Sequence, residues 1–287
     1  MSSALKGFLA MITACTIWGL SPIYYRAIGD VSALEILTHR TIWSVVFLGL
    51  LLWFARRLRG LTKSEFLRIT FAALMIAVNW LLFIYSVQSG HVVQTALGYF
   101  IFPLCAVALG ALILGERLSH WQWVAVGLAC LAVVLKTVSE QIVPTIALAL
   151  ASTFAIYGVV KKPMTMGPRQ SVFWETAVLL PFALCYVGYL ITTGDNHFGA
   201  EPVQTGLLIA SGFMTAGPLV MMAYAMERLP LASVGIIQYL NPSLQFITAI
   251  WIFAEPFAAF QFYPFILIWI AIGIYSWQAL KVSKTAH

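Results

Sequence analysis

The chain has 287 residues, of which 61% are hydrophobic and 9% charged, and its formal net charge is +6. That share of charged residues is too small to cover the surface of a soluble domain, which excludes an ordinary water-soluble protein. The positive charge does not indicate nucleic-acid binding, because the cations lie between apolar runs and form no patch with aromatic residues.

Apolar runs of membrane-spanning length follow one another along the chain. They cover residues 7–27, 33–55, 66–88, 92–114 and 121–138, then 143–160, 171–192, 203–226, 231–253 and 260–280. About 20 helical residues cross a bilayer core, whereas strands of a barrel would be half as long and would alternate in polarity. The sequence therefore predicts an all-α membrane protein of about ten transmembrane helices. The first run lacks a small-residue cleavage site, so we expect a retained helix and not a removed signal peptide.

The positions of lysine and arginine predict the orientation. If the N-terminus is cytoplasmic, thirteen cations fall on the inner side and only Arg26 and Lys136 on the outer side, with Arg40 inside the second run. The inner set is Lys6, Arg56, Arg57, Arg59, Lys63, Arg68, Arg117, Lys161, Lys162, Arg169, Arg228, Lys281 and Lys284. Because cytoplasmic loops carry the excess of positive charge, both termini are predicted to be cytoplasmic.

The four cysteines predict no metal or redox chemistry. Cys15, Cys105, Cys130 and Cys185 all fall inside apolar runs, without a CxxC pair or histidine ligands beside them. Isolated cysteines of this kind are small hydrophobic residues. We therefore expect no metal site and no cofactor.

A shift of 139 residues brings unusual residues of the two halves into register. Trp18-Gly19 then matches Tyr157-Gly158, Tyr85 matches Tyr224, Pro103 matches Pro242, Glu116 matches Glu255, and Gln122 matches Gln261. This predicts two repeats, residues 1–138 and 139–287. Five spans in each half is an odd number, so the second repeat enters the membrane from the other side. Inverted repeats are typical of secondary transporters.

The matched prolines indicate a candidate cavity. A proline inside a helix removes a backbone donor, which either breaks a helix beside a binding site or leaves a packing kink. The polar and aromatic residues predicted to face such a cavity are Trp18, Asn79, Trp80, Gln94, Tyr99, Pro103, Gln238, Tyr239, Asn241, Pro242 and Gln245. Asn79 also has the alternative of bonding a neighbouring helix. Glu116 and Glu255 lie at helix ends and are interpreted as caps or loop anchors.

Ionisable residues in the second run are candidates for a gate or for proton coupling. Glu35 and His39 are four residues apart and share a helical face, and Arg40 lies about one turn into the apolar region. Because a lone arginine in lipid costs about 3 kcal/mol or more, Arg40 should face protein or water. The structural alternative is an Arg40–Glu35 pair. Glu175 in the seventh run is the predicted counterpart of Glu35 at the opposite mouth.

Several motifs resemble the EamA family of the drug/metabolite transporter superfamily, and within it the RarD type. They are Glu35-Ile-Leu-Thr-His-Arg40 with Trp43, Asn79-Trp-Leu-Leu-Phe83, Leu97-Gly-Tyr-Phe100, Gly115-Glu116-Arg117, Phe154 with Tyr157-Gly158, Glu175-Thr176 and Gln238-Tyr239. Phe102 departs from the pattern, which has a polar residue before the proline, whereas the second half keeps Asn241. The resemblance implies two five-helix EamA-type repeats, a bacterial inner membrane, and export or exchange of small metabolites or drugs.

Functions other than transport are also compatible with an apolar helical chain to different degrees. An intramembrane enzyme is not expected, because His39 is the only histidine inside a run and no aspartate lies in one. A flippase for a lipid-linked molecule, a channel and a membrane sensor stay as alternatives. The expected partners are the lipid bilayer and a small-molecule substrate of unknown identity, and the sequence leaves monomer and homodimer open.

Overall fold

A computed structural model describes residues 2–56, 58–115, 118–229 and 231–285, and the regular structure in these ranges is entirely helical. The helices are α1 Ser3–Ala27, α2 Ala33–Phe54, α3 Lys63–Gln88, α4 Val92–Leu114, α5 His120–Glu140, α6 Thr145–Lys161, α7 Pro168–Thr193, α8 Pro202–Met226, α9 Leu231–Gln238, α10 Leu240–Ile247 and α11 Phe262–Thr285. A π-helical turn, Thr248–Ile252, extends α10, and a 3₁₀ turn, Ala259–Gln261, precedes α11. The all-α prediction is confirmed.

Local capping fixes several helix ends. The Ser32 hydroxyl accepts a hydrogen bond from the Glu35 N–H and begins α2. Thr62 and Glu65 form a reciprocal capping box at the start of α3. Such side chains satisfy N–H groups that have no partner within the helix. Gly115 follows α4 with a φ of 68°, a left-handed conformation that glycine adopts without strain.

Eight segments in the described ranges are long and apolar enough to cross a membrane. They comprise α1 to α5, α7, α8 and the segment Ala259–Gln278 that contains most of α11. Helix α6 has 17 residues, which at 1.5 Å per residue is about 26 Å. The remaining apolar run, predicted as one helix over 231–253, is divided into α9, α10 and the π-helical turn.

The two matched prolines have different effects on their helices. Helix α4 runs through Pro103 without interruption. The other helix breaks at Tyr239, whose N–H donates to the Ile236 carbonyl three residues earlier, 3.2 Å away. Pro242 follows one turn later; it has no N–H, and its ring crowds the carbonyl of Gln238. Of the two alternatives left open for the matched prolines, a helix break is present beside Pro242, whereas α4 has no break at Pro103.

Short connections make successive helices run in opposite directions. We call the end where α1, α3, α5 and α7 begin the basic end, because Arg59 and Arg169 lie there, and the other the opposite end. Contacts across connections agree with this arrangement: the Trp174 indole donates to the Arg59 carbonyl at 3.0 Å at the basic end. At the opposite end, the Gln204 amide donates to the Ile28 carbonyl at 3.1 Å.

The main packing joins early helices to late ones. Helix α2 packs on α7 and α8, α1 on α8, α3 and α4 on α6, and α5 on α11. Some of these approaches need a residue without a side chain: a Cβ on Gly212 would lie 2.5 Å from the Trp43 carbonyl carbon. A Cβ on Gly98 would lie 2.8 Å from the Ala147 carbonyl oxygen. Small residues of this kind allow close packing of helices in membranes.

The surface is apolar and several ionisable side chains are buried, as expected of a protein embedded in a lipid bilayer. Large apolar side chains face outward, including Phe54 at 81% exposure and Trp251 at 77%. Ionisable side chains lie inside instead, with Glu35 1% and Glu175 0% exposed. Lipid rather than water must therefore contact most of the outer surface.

Candidate functional site

A cavity of about 540 Å³ lies at the centre of the helices. Side chains from both halves of the chain line it. Among the predicted cavity residues, the wall contains Trp18, Asn79, Trp80, Tyr99, Gln238, Asn241 and Gln245, and it also contains Arg40, which was predicted to face protein or water.

A second cavity of about 720 Å³ adjoins the first between α4, α6, α9 and α11. It reaches toward the basic end, where Lys162 and Ser276 line it. Pro103, Tyr239 and Pro242 belong to this cavity. The two cavities share part of their walls. The side chains that line both include Tyr99, Phe102, Phe154, Lys161, Gln238 and Asn241.

Arg40 is held in the central cavity by neutral groups. Its Nε donates to the Thr215 hydroxyl at 2.6 Å and its Nη1 to the Tyr25 hydroxyl at 2.7 Å. The guanidinium carbon lies 4.1 Å from the centre of the Trp80 ring, a cation–π geometry. The alternative of an Arg40–Glu35 pair is therefore wrong, because Glu35 binds a residue of a distant loop.

That residue is His197, which the sequence analysis missed. Its Nδ1 lies 2.8 Å from Glu35 Oε2, and its backbone N–H donates to Oε1 at 2.9 Å. The loop after α7 thereby covers the start of α2 at the opposite end. The two residues are 162 apart in sequence, and a histidine in a polar loop gives no signal of such a contact.

His39 lies beside this contact without lining either cavity. Its ring stacks on Phe198 with 4.7 Å between ring centres. Within the described part of the chain, its Nε2 is buried and has no hydrogen-bond partner. Glu35, His39 and Arg40 thus share one helix but only Arg40 reaches the cavity.

Glu175 forms a matching buried site nearer the basic end. Its oxygens accept from the Ser171 hydroxyl at 2.8 Å and the Tyr157 hydroxyl at 2.9 Å. Lys161 Nζ lies 2.8 Å from Oε1, a short ion pair. Lys161, previously counted only among the orientation-setting cations, thus links Glu175 to the wall of both cavities.

Asn79 connects three helices in the cavity wall. Its amide donates to the Leu150 carbonyl and the Thr153 hydroxyl of α6, each at 2.9 Å. Its oxygen accepts from the Tyr99 hydroxyl of α4 at 3.1 Å. Asn79 therefore has the predicted alternative role of bonding neighbouring helices, and it also lines the cavity, whereas substrate binding by Asn79 stays a prediction.

The first turn of α4 is capped from the other half of the chain. Glu255 accepts from the Val92 N–H at 2.7 Å and from the Val93 N–H at 2.8 Å, which confirms its interpretation as a cap. Burial raises the pKa of the Glu255 carboxyl, and the two N–H groups oppose that rise. Gln94 is in the same turn and lines neither cavity. Glu116 lies outside the described residues.

Charge in the central cavity wall is positive. Over the ranges that the structure describes, its charged lining residues are Arg40 and Lys161, with no carboxylate among them. In the same ranges, no group of three or more His, Cys, Asp or Glu side chains has the geometry to hold a metal ion. The cavity can therefore bind polar and aromatic groups through amides, hydroxyls, ring faces and one guanidinium.

Comparison with known proteins places the chain in a family. The EamA-like transporter family matches residues 5–138. A protein RarD of Streptomyces exfoliatus is 42% identical over 98% of this chain and 91% of its own length. An uncharacterized transporter of Vibrio cholerae is 39% identical over 99% of this chain and 96% of its own.

A solved crystal structure of a protein with 17% identity aligns with 95% of this chain and 98% of that one at a TM-score of 0.63, which shows a shared fold. Family, relatives and apolar helices agree with one another. The chain belongs to the EamA-like transporter family as a RarD-type member, and it is a multi-pass membrane transporter of the bacterial inner membrane.

Proposed function

We propose that this protein is a secondary transporter that exports or exchanges a small amphipathic metabolite or drug by alternating access. The observation that carries the proposal is the central cavity, whose polar and aromatic wall is built from helices of both halves. A site near the middle of a helical bundle, reached from one side at a time, is the usual arrangement of such transporters. The substrate contacts would come from Trp18, Asn79, Trp80, Tyr99, Gln238 and Asn241, with Pro103, Tyr239 and Pro242 along the route from the basic end.

Contacts at the opposite end support a conformation that is closed there. Glu35 holds His197, and Glu255 holds the first turn of α4, so each carboxylate joins early and late parts of the chain. Arg26 also lies 4.4 Å from the centre of the Phe253 ring. The adjoining cavity, in contrast, extends toward the basic end along Lys162 and Ser276.

The proposed architecture has ten crossings in two inverted repeats, residues 1–138 and 139–287, with both termini in the cytoplasm. In this arrangement α6 and the broken segment 231–252 each cross the membrane once. The thirteen-to-two distribution of cations and the alternating helix directions support it. Under the inversion, Glu35 and Glu175 are counterparts, and we infer that their contacts form outer and inner gates that break in turn.

A counterflow assay in proteoliposomes tests the mechanism. Vesicles loaded with a candidate metabolite should accumulate its labelled form transiently, and Glu35→Gln or Glu175→Gln should lower the rate at least tenfold, about 1.4 kcal/mol in the barrier. Glu227→Gln, in an exposed ion pair at the basic end, is the matched control. Unchanged rates in both gate variants would refute the gates, and unsaturable flux without counterflow would indicate a channel.

The topology has a separate test. Reporter tags at the N-terminus and between Lys161 and Arg169 should lie on the same, cytoplasmic side of the membrane. A result that places them on different sides would rule out the inverted arrangement while leaving the family assignment intact.

A further inference from the structure

Arg40 is a buried cation whose hydrogen-bonding capacity is not used up. Thr215 and Tyr25 take bonds from Nε and Nη1, whereas Nη2 makes no hydrogen bond to any residue that the structure describes. Neither hydroxyl neutralises the charge. A guanidinium at 5% exposure, without a carboxylate partner, lacks the compensation that a buried charge requires.

The rest of the central cavity does not supply that compensation. Lys161, the other charged lining residue, already has a partner in Glu175 at 2.8 Å. The nearest acidic residue on the Arg40 helix, Glu35, is engaged by His197 at the opposite end. The wall of the cavity therefore carries one positive charge that the described protein groups leave unneutralised.

Aromatic side chains line the same cavity as this charge. Trp80 lies against the guanidinium, and Trp18, Phe83, Tyr99 and Phe154 line the same cavity. The Phe83 and Tyr99 rings have centres 5.9 Å apart, and those of Tyr99 and Phe154 are 6.0 Å apart, so the rings form a continuous wall. A volume of about 540 Å³ falls in the range of small-molecule sites.

We propose that the central cavity binds an organic monocarboxylate with a flat apolar body, whose carboxylate is held by Arg40. Arginine presents N–H groups in a planar fork that matches a carboxylate, and charge-assisted bonds of this type are the strong ones. A single unneutralised cation favours one negative charge on the ligand and disfavours a dianion or a cation. The transport of such a ligand rests on the proposed function, whereas its binding does not.

Binding to the unaltered protein tests the charge requirement first. The probes are 2-naphthylacetate, its neutral isostere 2-naphthylacetamide and the cation 2-naphthylethylamine, titrated calorimetrically against the full chain in detergent with protein-free micelles as the blank. We expect the carboxylate to bind at least tenfold more tightly than the amide, and the amine to bind most weakly. Equal affinity for carboxylate and amide would overturn the proposal, and this comparison needs no variant to fold.

Variants then test whether Arg40 is responsible for the preference for the carboxylate over the amide. Arg40→Gln should abolish the tenfold difference between carboxylate and amide, and Arg40→Lys should restore part of it, because the charge returns without the planar fork. Arg228→Gln is the control, since Arg228 also lies over an aromatic ring, 3.5 Å from that of Tyr224, but lines neither cavity. A preference that persists in Arg40→Gln would overturn the assignment.

Failure of this proposal and failure of transport give different results. A carboxylate preference that depends on Arg40, together with no counterflow of any probe, supports the anion site and refutes the transport mechanism. Counterflow of the amide and the carboxylate at equal rates and affinities supports transport and refutes the anion site.

Discussion

Glu35 and Glu175 are buried carboxylates near opposite ends of the helical bundle, and each depends on a basic partner. Sequence reasoning could single out both residues, because an ionisable group in an apolar run must be compensated. It could not find the partners of either one. His197 is in a loop 162 residues from Glu35, and Lys161 belongs to a row of cations at a helix end that resembles an ordinary topology signal.

Removal of the Lys161 ammonium should destabilise the protein, because the buried Glu175 carboxylate then has no charged partner. Lys161→Met leaves the carboxylate with only the Ser171 and Tyr157 hydroxyls, and we expect a loss of about 3 to 5 kcal/mol of stability. The double variant Lys161→Met/Glu175→Gln should recover most of this loss. Thermal unfolding in detergent measures both.

Arg169 provides the control for this cycle. It forms an exposed pair with Glu227 at 3.4 Å, and Arg169→Met should cost less than about 1 kcal/mol. Equal losses for Lys161→Met and Arg169→Met would contradict the structural role of the buried pair.

At the scale of elements, helix α8 approaches α2 closely at a glycine. Gly212→Ala would place a methyl group 2.5 Å from backbone and Cβ atoms of Trp43, so the helices must separate or bend. Overpacking of this kind costs about 1–3 kcal/mol. The midpoint of thermal unfolding should therefore fall, and the central cavity, whose wall includes Thr215 of the same helix, should bind its ligand more weakly.

A second glycine of α8, Gly206, distinguishes the effect of close packing on stability from the effect of helix propensity. Among the residues that the structure describes, no heavy atom beyond the neighbouring residues and the helix's own backbone lies within 4 Å of a Cβ added at Gly206. Gly206→Ala should therefore be neutral or stabilising by up to about 1 kcal/mol. If the two substitutions have the same effect, close packing at Gly212 does not determine the stability of the α2–α8 contact.

The helices themselves were largely predictable, and the break in one of them was not. Each transmembrane helix could be located from its apolar run, because the thickness of the bilayer sets the length of such a run. Helix ends such as Ala27 and Met226 agree with the predicted runs. A proline alone does not decide whether a helix breaks, since neighbouring helices can satisfy the freed carbonyl. Pro103 and Pro242 match in sequence, yet only the second lies beside a break, so the difference comes from tertiary packing.

For the whole molecule, the proposed closure at the opposite end predicts unequal access to the cavities. In a background without the natural cysteines, Ser276→Cys should react with a polar maleimide, because Ser276 lines the cavity that extends toward the basic end. Thr95→Cys should be protected, because Thr95 is buried between the Glu255 cap and Gln245 of the cavity wall.

Loss of the closing contacts should reverse this pattern. Adding Glu35→Gln and Glu255→Gln should raise the reaction rate of Thr95→Cys at least tenfold, which corresponds to a population shift of about 1.4 kcal/mol. Rapid labelling of Thr95→Cys with both carboxylates intact would contradict a closed opposite end.

The pairing of early helices with late ones has a consequence for synthesis of the protein. When the ribosome has completed only α1 to α5, the faces of α2 and α4 that will contact α7, α8 and α6 have no protein neighbours. The incomplete chain must remain in the bilayer while Arg40 lacks its Thr215 partner and Asn79 lacks its Leu150 and Thr153 partners, which belong to helices not yet made. We expect nascent chains stopped after residue 142 to be cleaved by membrane proteases faster than the full chain, which pulse–chase labelling measures.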